Sequence, residues 1–294
     1  MLSQPSLQAV LQLCRVSNAP TVWSNVLAAW FLSGGTFEPA LGLMLLGATA
    51  LYFGGTTLND AADADFDRQY RPERPIPSGV FSRGQVTALG LGWMLLGSVL
   101  TLLAGGGWIL LVILIACVLS YDLVHKRTTW AALLMGGGRA SLFLLAASPH
   151  EFAFDTSTVL LAMWGTTHFI YITGLTWRAA SESGPIEHKF PRLQSLLLAT
   201  PLGTTLLGFL LAAGGLVSLI FGVGLAVWTI PAWPMRVGGG EGAMPPYKSI
   251  PRLLAGIVLI DGIALCWISP VIALGVVAIL FPFALAMQKR IAAT

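Results

Sequence analysis

The chain has 294 residues, of which 55% are hydrophobic and 10% charged, with a net charge of +3. Soluble globular domains carry about 25% charged residues, so that class is excluded. No polar block is long enough to fold on its own, and residues 1–294 read as a single integral-membrane domain with no nucleic-acid partner.

In chain order, Met1–Cys14 has no basic n-region and no small-residue cleavage site. It is expected to be a short amphipathic segment on the membrane face, with Arg15 marking the entry to the first span. Apolar runs of helix length then follow at 19–33, 39–58, 84–104, 107–124, 129–147, 157–176, 193–213, 215–233, 252–269 and 271–288. Their length predicts an all-α polytopic bundle and not a membrane barrel built from short alternating strands. Only Ser269-Pro270 separates the last two runs, so they are two spans or one span kinked by proline. Cys14, Cys117 and Cys266 stand far apart and read as small apolar fillers.

The basic residues order the connections. Arg15, the group from Arg68 to Arg83, Lys126-Arg127, Arg178, Lys189, Arg192, Arg236, Lys248, Arg252 and Lys289-Arg290 fall at alternate connections or at the ends, while the intervening connections hold Glu38, His150, Glu151 and Asp155. The positive-inside rule makes the basic side cytoplasmic, in an inner or plasma membrane among lipids. Lys289-Arg290 on that side favours an even count, ten crossings or a re-entrant final hairpin.

One stretch departs from the apolar character of the chain. Between Asn59 and Gly79 lie Asp60, Asp63, Asp65, Asp67 and Glu73, with Arg68, Arg71 and Arg74. If the second span continues helically into this stretch, the 100° step places Asp60, Asp63 and Asp67 on one face and Asp65 on another. Three carboxylates at i, i+3 and i+7 repel one another unless a hard cation such as Mg²⁺ lies among them. The arginines that follow suit bidentate capture of phosphate oxygens. Acids for a metal beside guanidiniums for phosphate form the set that a diphosphate–Mg²⁺ complex needs. The competing reading is a charged, solvated loop between two membrane helices.

Asn59-Asp60-x-x-Asp63-x-x-x-Asp67, followed by Arg71-x-x-Arg74-Pro75-x-Pro77-x-Gly79, resembles the first aspartate-rich motif of the UbiA superfamily of intramembrane prenyltransferases. The resemblance implies a helical bundle of nine spans around a central lipophilic cavity, against the ten that the charges favour. It also implies transfer of an isoprenyl group from a polyprenyl diphosphate to an aromatic or other lipophilic acceptor. Mg²⁺ would be held by Asp60, Asp63 and Asp67, and the diphosphate by Asn59, Arg71, Arg74 and Lys126. Lys126 is carried over from Tyr121-x-x-x-x-Lys126-Arg127-Thr128, which with Gly136-Gly137-Gly138 is similar to a second family pattern; Tyr121 is a lesser ligand on the same basis. As a bare pattern, the same residues read as interfacial anchors.

Where the family carries its second aspartate-rich motif, Thr176–Pro191 contains no aspartate. Glu182 remains as a weak metal ligand beside Glu187, and Arg178, Lys189 and Arg192 would balance the diphosphate around one metal. This divergence looks most like the EboC-like branch. It also sustains an alternative, a catalytically altered protein on the same scaffold that binds or transports an isoprenoid or hydrophobic metabolite. Arg139 and Asp261 lie inside predicted spans, where a charge needs a partner; they are candidates to pair with each other or, for Arg139, with a motif acid. Asp122 is expected to be an interfacial anchor.

Overall fold

A computed structural model of the chain describes residues 4–150, 156–180, 191–211, 215–234 and 244–291. Every regular element among them is helical. α1 (Gln4–Leu13) precedes a 3₁₀ turn at Val16–Asn18, and α2 (Ala19–Leu32), α3 (Pro39–Ala62) and the short α4 (Ala64–Tyr70) follow. Then come α5 (Arg83–Leu103), α6 (Trp108–Val124), α7 (Ala131–Ala147), α8 (Thr156–Ala180), α9 (Pro191–Leu210), α10 (Leu216–Thr229), α11 (Pro246–Cys266) and α12 (Pro270–Gln288). The ten apolar runs each become one helix. Six of these helices are long and apolar enough to cross a membrane by length and composition: α3, α5, α8, α9, α11 and α12.

Local chemistry sets several boundaries. Ser82 accepts from the Gln85 amide while the Gln85 side chain accepts from the Ser82 amide, a capping box that opens α5. Ser269 caps α12 in the same sense, and Pro270 follows at its first turn, so the ambiguous C-terminal run is two helices. Gly34 and Gly105, with φ of 89° and 86°, close α2 and α5 in the left-handed conformation that a side chain resists.

α2 is only 14 residues long, roughly 21 Å, too short to span hydrocarbon alone. It is instead the centre of the bundle, with Val22, Val26, Ala29 and Trp30 fully buried between α3, α7, α11 and α12. The outer helices carry the opposite pattern. Leu95, Leu103, Val112, Leu196, Val227, Val271 and Ile279 are exposed, as a lipid-facing surface requires.

The helices run alternately up and down, as side-chain contacts between their ends show. His125 and Lys126 after α6 meet Asp63 after α3; Trp177 near the end of α8 donates to the Thr129 carbonyl ahead of α7. Arg178 reaches Ser249 at the start of α11, and Gln288 at the end of α12 donates to the Pro251 carbonyl. At the other end, Ser33 after α2 meets His150 after α7, and the Gly107 amide donates to Ser148. The start of α2 and the end of α12 therefore lie at the same end of the bundle, which is also the end carrying the acidic motif.

Candidate active site

α3 ends at Ala62, but Asp63 stays near-helical with φ −79° and ψ −2°, and its carbonyl accepts from the Asp67 amide. The kink is slight, so α3 and α4 present nearly one face. Asp60, Asp63 and Asp67 are buried, whereas the Asp65 side chain is 70% exposed and pairs with Arg68 and Arg83 in solvent. A small apolar cluster of Leu13, Ala61, Ala64, Ile76 and Val86 fixes the following loop, with Gly79 at φ 77° closing its turn.

Each buried acid has a cation. Arg74 bridges Asp60 Oδ1 at 3.1 Å and Asp67 Oδ2 at 3.0 Å. Arg15 donates to Asp60 Oδ1 and to Asn59 Oδ1, both at 3.1 Å. Asp63 is held by Lys126 at 3.1 Å and His125 at 3.0 Å, and the Lys126 ammonium lies 4.0 Å over the Phe66 ring. Arg71 is half-buried in the loop. Tyr121 stacks on His125 with ring centroids 4.7 Å apart.

The electrostatics differ from one acid to the next. Burial would push the Asp63 carboxyl up, but the hydrogen bond and charge of His125 with the charge of Lys126 outweigh it and hold its pKa below 3.8. Asp67 moves the other way: burial raises it, Arg74 opposes, and the neighbouring Asp63 and Asp60 charges add to the rise. At Arg15, Asp60 overcomes the burial that would destabilise the guanidinium and holds its pKa above the ordinary arginine value. The adjacent Cys14 thiol is pushed up to about 11 by burial, so it supplies no nucleophile.

Arg15, which holds Asp60, and Asn59 also line a cavity of about 270 Å³ inside the bundle, so the cluster adjoins that cavity through these two residues. Arg15, Asn18, Tyr52, Asn59, Tyr121 and Asp122 form its polar end; Leu51, Leu114, Leu142, Ile172, Leu254 and Ile257 line the apolar remainder. Asp122 is thus no interfacial anchor: its Oδ1 accepts from Asn59 at 2.9 Å, and its buried Oδ2 has no partner. Arg178 is buried on another side, donating to Ser249 Oγ and the Met244 carbonyl. Glu182 and Lys189 lie outside the described residues.

Among the described residues, no three His, Cys, Asp or Glu side chains converge as a ready-made metal cage. Mg²⁺ does not need one, since it binds through one or two carboxylates and completes its shell with water and substrate phosphate. The hard oxygen donors fit it, and the buried, unpartnered Oδ1 of Asp67 is a free anionic ligand. Three residues of this site are not assigned to it by the sequence. Arg15, His125 and Asp122 join it through partners 44 to 63 positions away, a separation that one sequence does not reveal.

A family model described as the UbiA prenyltransferase family matches residues 19–237. The digeranylgeranylglyceryl phosphate synthase of Metallosphaera sedula is 38% identical over 103 residues, covering 33% of this chain and 36% of that protein. The chain spans about a third of the length of the curated relatives it matches first. Protoheme IX farnesyltransferase of Brucella anthropi is 24% identical over 314 aligned positions, covering 99% of this chain and 95% of the relative. The apo structure of a UbiA homologue from Aeropyrum pernix K1 superposes with a TM-score of 0.66 at 17% identity, covering 84% of this chain and 96% of that one.

Proposed function

Since this chain belongs to the UbiA prenyltransferase family, we propose that it transfers an isoprenyl group from a polyprenyl diphosphate to a lipophilic acceptor within the membrane, with Mg²⁺ as cofactor. The observation that carries this reading is the set of three buried acids paired with Arg15, Arg74 and Lys126, which adjoins the polar end of a largely apolar cavity through Arg15 and Asn59. Such a cluster binds the charged end of an amphiphile, and the cavity beside it takes the hydrocarbon chain.

In this reading Asp60, Asp63 and Asp67 hold the metal. When bound, Mg²⁺ offsets the negative charge that develops on the departing diphosphate. Arg15, Arg74 and Lys126, which the acids now hold in place, turn toward the phosphate oxygens, with Asn59, Tyr121 and Arg71 beside them. Their ion pairs with the acids already gather these charges at one place, so little reorientation is needed as the leaving group forms. The apolar wall keeps water from the electrophilic carbon, so the acceptor reacts in its place. Arg178 at the end of α8, with Lys189 and Glu182 in the stretch that follows it, helps to balance the diphosphate in this reading. The cytoplasm is the side proposed for the site, since that end of the bundle carries the basic connections.

A second reading is favoured by one observation, the lack of any aspartate in Thr176–Pro191: a carrier that binds an isoprenoid without reacting it. Incubation with Mg²⁺ and labelled prenyl diphosphates of several lengths, with quinoid, phenolic and tetrapyrrole acceptors, separates the two. Transfer predicts diphosphate release matched by labelled product and abolished by a chelator. Tight binding with no release for any acceptor supports the carrier.

A further inference from the structure

Arg139 lies in the middle of α7 and forms part of the cavity wall. Its Nη2 donates to the Thr21 carbonyl on α2, and among the described residues it has no other acceptor; its Nε is unpartnered. No described carboxylate is within ion-pair distance of it. A guanidinium inside a bundle without a counter-ion is unfavourable, so the absence of a partner asks for a cause.

Asp261 on α11 is the other charge inside the predicted spans, and its contacts lie elsewhere. Ser24 Oγ donates to Asp261 Oδ2 at 2.5 Å, and Asn25 Nδ2 lies 3.4 Å from Oδ1. His168 Nε2 is 2.8 Å from Oδ1, while His168 Nδ1 is 2.8 Å from the Trp164 carbonyl. A carbonyl only accepts, so Nδ1 carries a hydrogen. Nε2 and Oδ1 then need one further proton between them, because two acceptors do not bond. Whichever atom owns that proton, the His168–Asp261 pair has no net charge. Both side chains are fully buried, which suits a neutral pair. The positive charge of Arg139 is therefore left uncompensated, in a cavity whose lining includes Leu142, Ile172 and Ile257.

Its place in the cavity also matters. Arg15, Asn18 and Thr21 all line the cavity at three-residue steps along one chain segment. Thr21, whose carbonyl Arg139 bonds, is the third residue of α2 and stands six positions beyond Arg15. Two cations thus line one space, Arg15 with the acidic cluster and Arg139 in the middle of α7.

We propose that Arg139 anchors an anionic oxygen group, a carboxylate or a phosphate, on the prenyl acceptor, and so selects acceptors that carry one. This rests on the prenyl-transfer reading above and names the chemical class of its second substrate. Arg139 acts as a specificity residue: it holds the acceptor's charged end while the acceptor's nucleophilic atom lies toward the acidic cluster.

The test uses the full-length protein in lipid nanodiscs without prenyl diphosphate, with binding measured by calorimetry at pH 7. Two probe pairs separate the sources of the oxyanion. One is 4-hydroxybenzoate against 4-hydroxybenzamide, and the other a long-chain glycerol monoether phosphate against the uncharged monoether. The anionic member of at least one pair is expected to bind about tenfold or more tightly than its neutral twin, the scale of a hydrogen bond to a charged group. The pair that discriminates identifies carboxylate or phosphate. Arg139→Gln removes that preference, and Arg139→Lys, keeping charge without the fork, restores part of it. A loss of packing alone would weaken both members of a pair equally. Equal binding of charged and neutral members in both pairs overturns the proposal, even if the Gln variant proves unfolded; so does a folded Gln variant that discriminates as the parent does. Mg²⁺-dependent binding of geranylgeranyl diphosphate to the parent protein is measured in parallel. Its failure would count against prenyl transfer itself, independently of Arg139.

Discussion

At the residue scale, Asp63 and Asp67 are two acids on one face whose environments pull in opposite directions. The Asp63 pKa is depressed, so its ionic contacts with His125 and Lys126 contribute stability above the ordinary carboxylate value of 3.8, and that contribution is lost as pH falls through the depressed value. The Asp67 pKa is raised, so its ionisation works against folding as pH rises through the raised value. In metal-free protein, Asp63→Asn is expected to cost roughly 1–3 kcal/mol at pH 7 and to flatten the loss of stability below about pH 4. Asp67→Asn is expected to leave the melting temperature at pH 7 unchanged or raise it. Thermal unfolding in detergent between pH 3 and 7 checks both. An acid limb as steep in the Asp63 variant as in the parent would show that other carboxylates dominate. Arg15 adds strain to the same cluster. Its φ of 41° is left-handed, unusual for a residue with a side chain, and costs roughly 1–2 kcal/mol. The hydrogen bond from the Tyr52 hydroxyl to its carbonyl and the ion pair with Asp60 hold it there.

At the scale of elements, the most intimate pair is α3 with α5, and glycines set its spacing. Gly47 and Gly54 on α3 face Gly90 and Gly97 on α5, each pair seven residues apart, close to two helical turns. A Cβ on Gly97 would lie 2.6 Å from the Leu51 amide nitrogen and 2.7 Å from the Gly47 carbonyl oxygen. Both atoms are backbone, so relief requires the helices to part. Gly97→Ala should therefore lower stability by about 1–3 kcal/mol, whereas Gly92→Ala, whose Cβ meets nothing within 4 Å, should be neutral or slightly stabilising. Comparing their melting temperatures in the same detergent tests the claim; equal melting temperatures would refute it. The helices themselves were legible in the sequence because each is a long apolar run bounded by Gly, Pro or charge. The acidic face was legible as well, since Asp60, Asp63 and Asp67 are linked by local helical geometry alone. Partnerships across the bundle were not. Asp261 is recognisable in the sequence as a charge that needs a partner, but its partners Ser24 and His168 lie 237 and 93 residues away, and Arg139, the candidate that the sequence offers, is not one of them. Asp122 had the position of an anchor until packing turned it toward Asn59.

For the whole molecule, alternation of ten helices puts the acidic site and the end of α12 at one end of the bundle. If every helix crosses, cysteines placed at Gln69 and Arg290, in a background lacking Cys14, Cys117 and Cys266, are labelled from the cytoplasmic side only. A cysteine at Phe37, which is 79% exposed in the connection between α2 and α3, is labelled from the other side. Labelling of position 290 together with 37 would mean nine crossings and a displaced final helix. In the proposed reading, the charged cluster beside the polar end of the cavity makes binding of an amphiphile's head and tail one event. The central claim is that the buried acids, and not the general acidity of the loop, hold a metal–diphosphate head group. Asp67 and Asp65 decide it most directly, because they sit two residues apart on α4 with equal formal charge, one buried and one exposed. Calorimetry of geranylgeranyl diphosphate binding with and without Mg²⁺ is predicted to show about a tenfold or greater loss for Asp67→Asn and less than about twofold for Asp65→Asn. Equal losses in the two variants, or binding in the parent that does not depend on Mg²⁺, would contradict it.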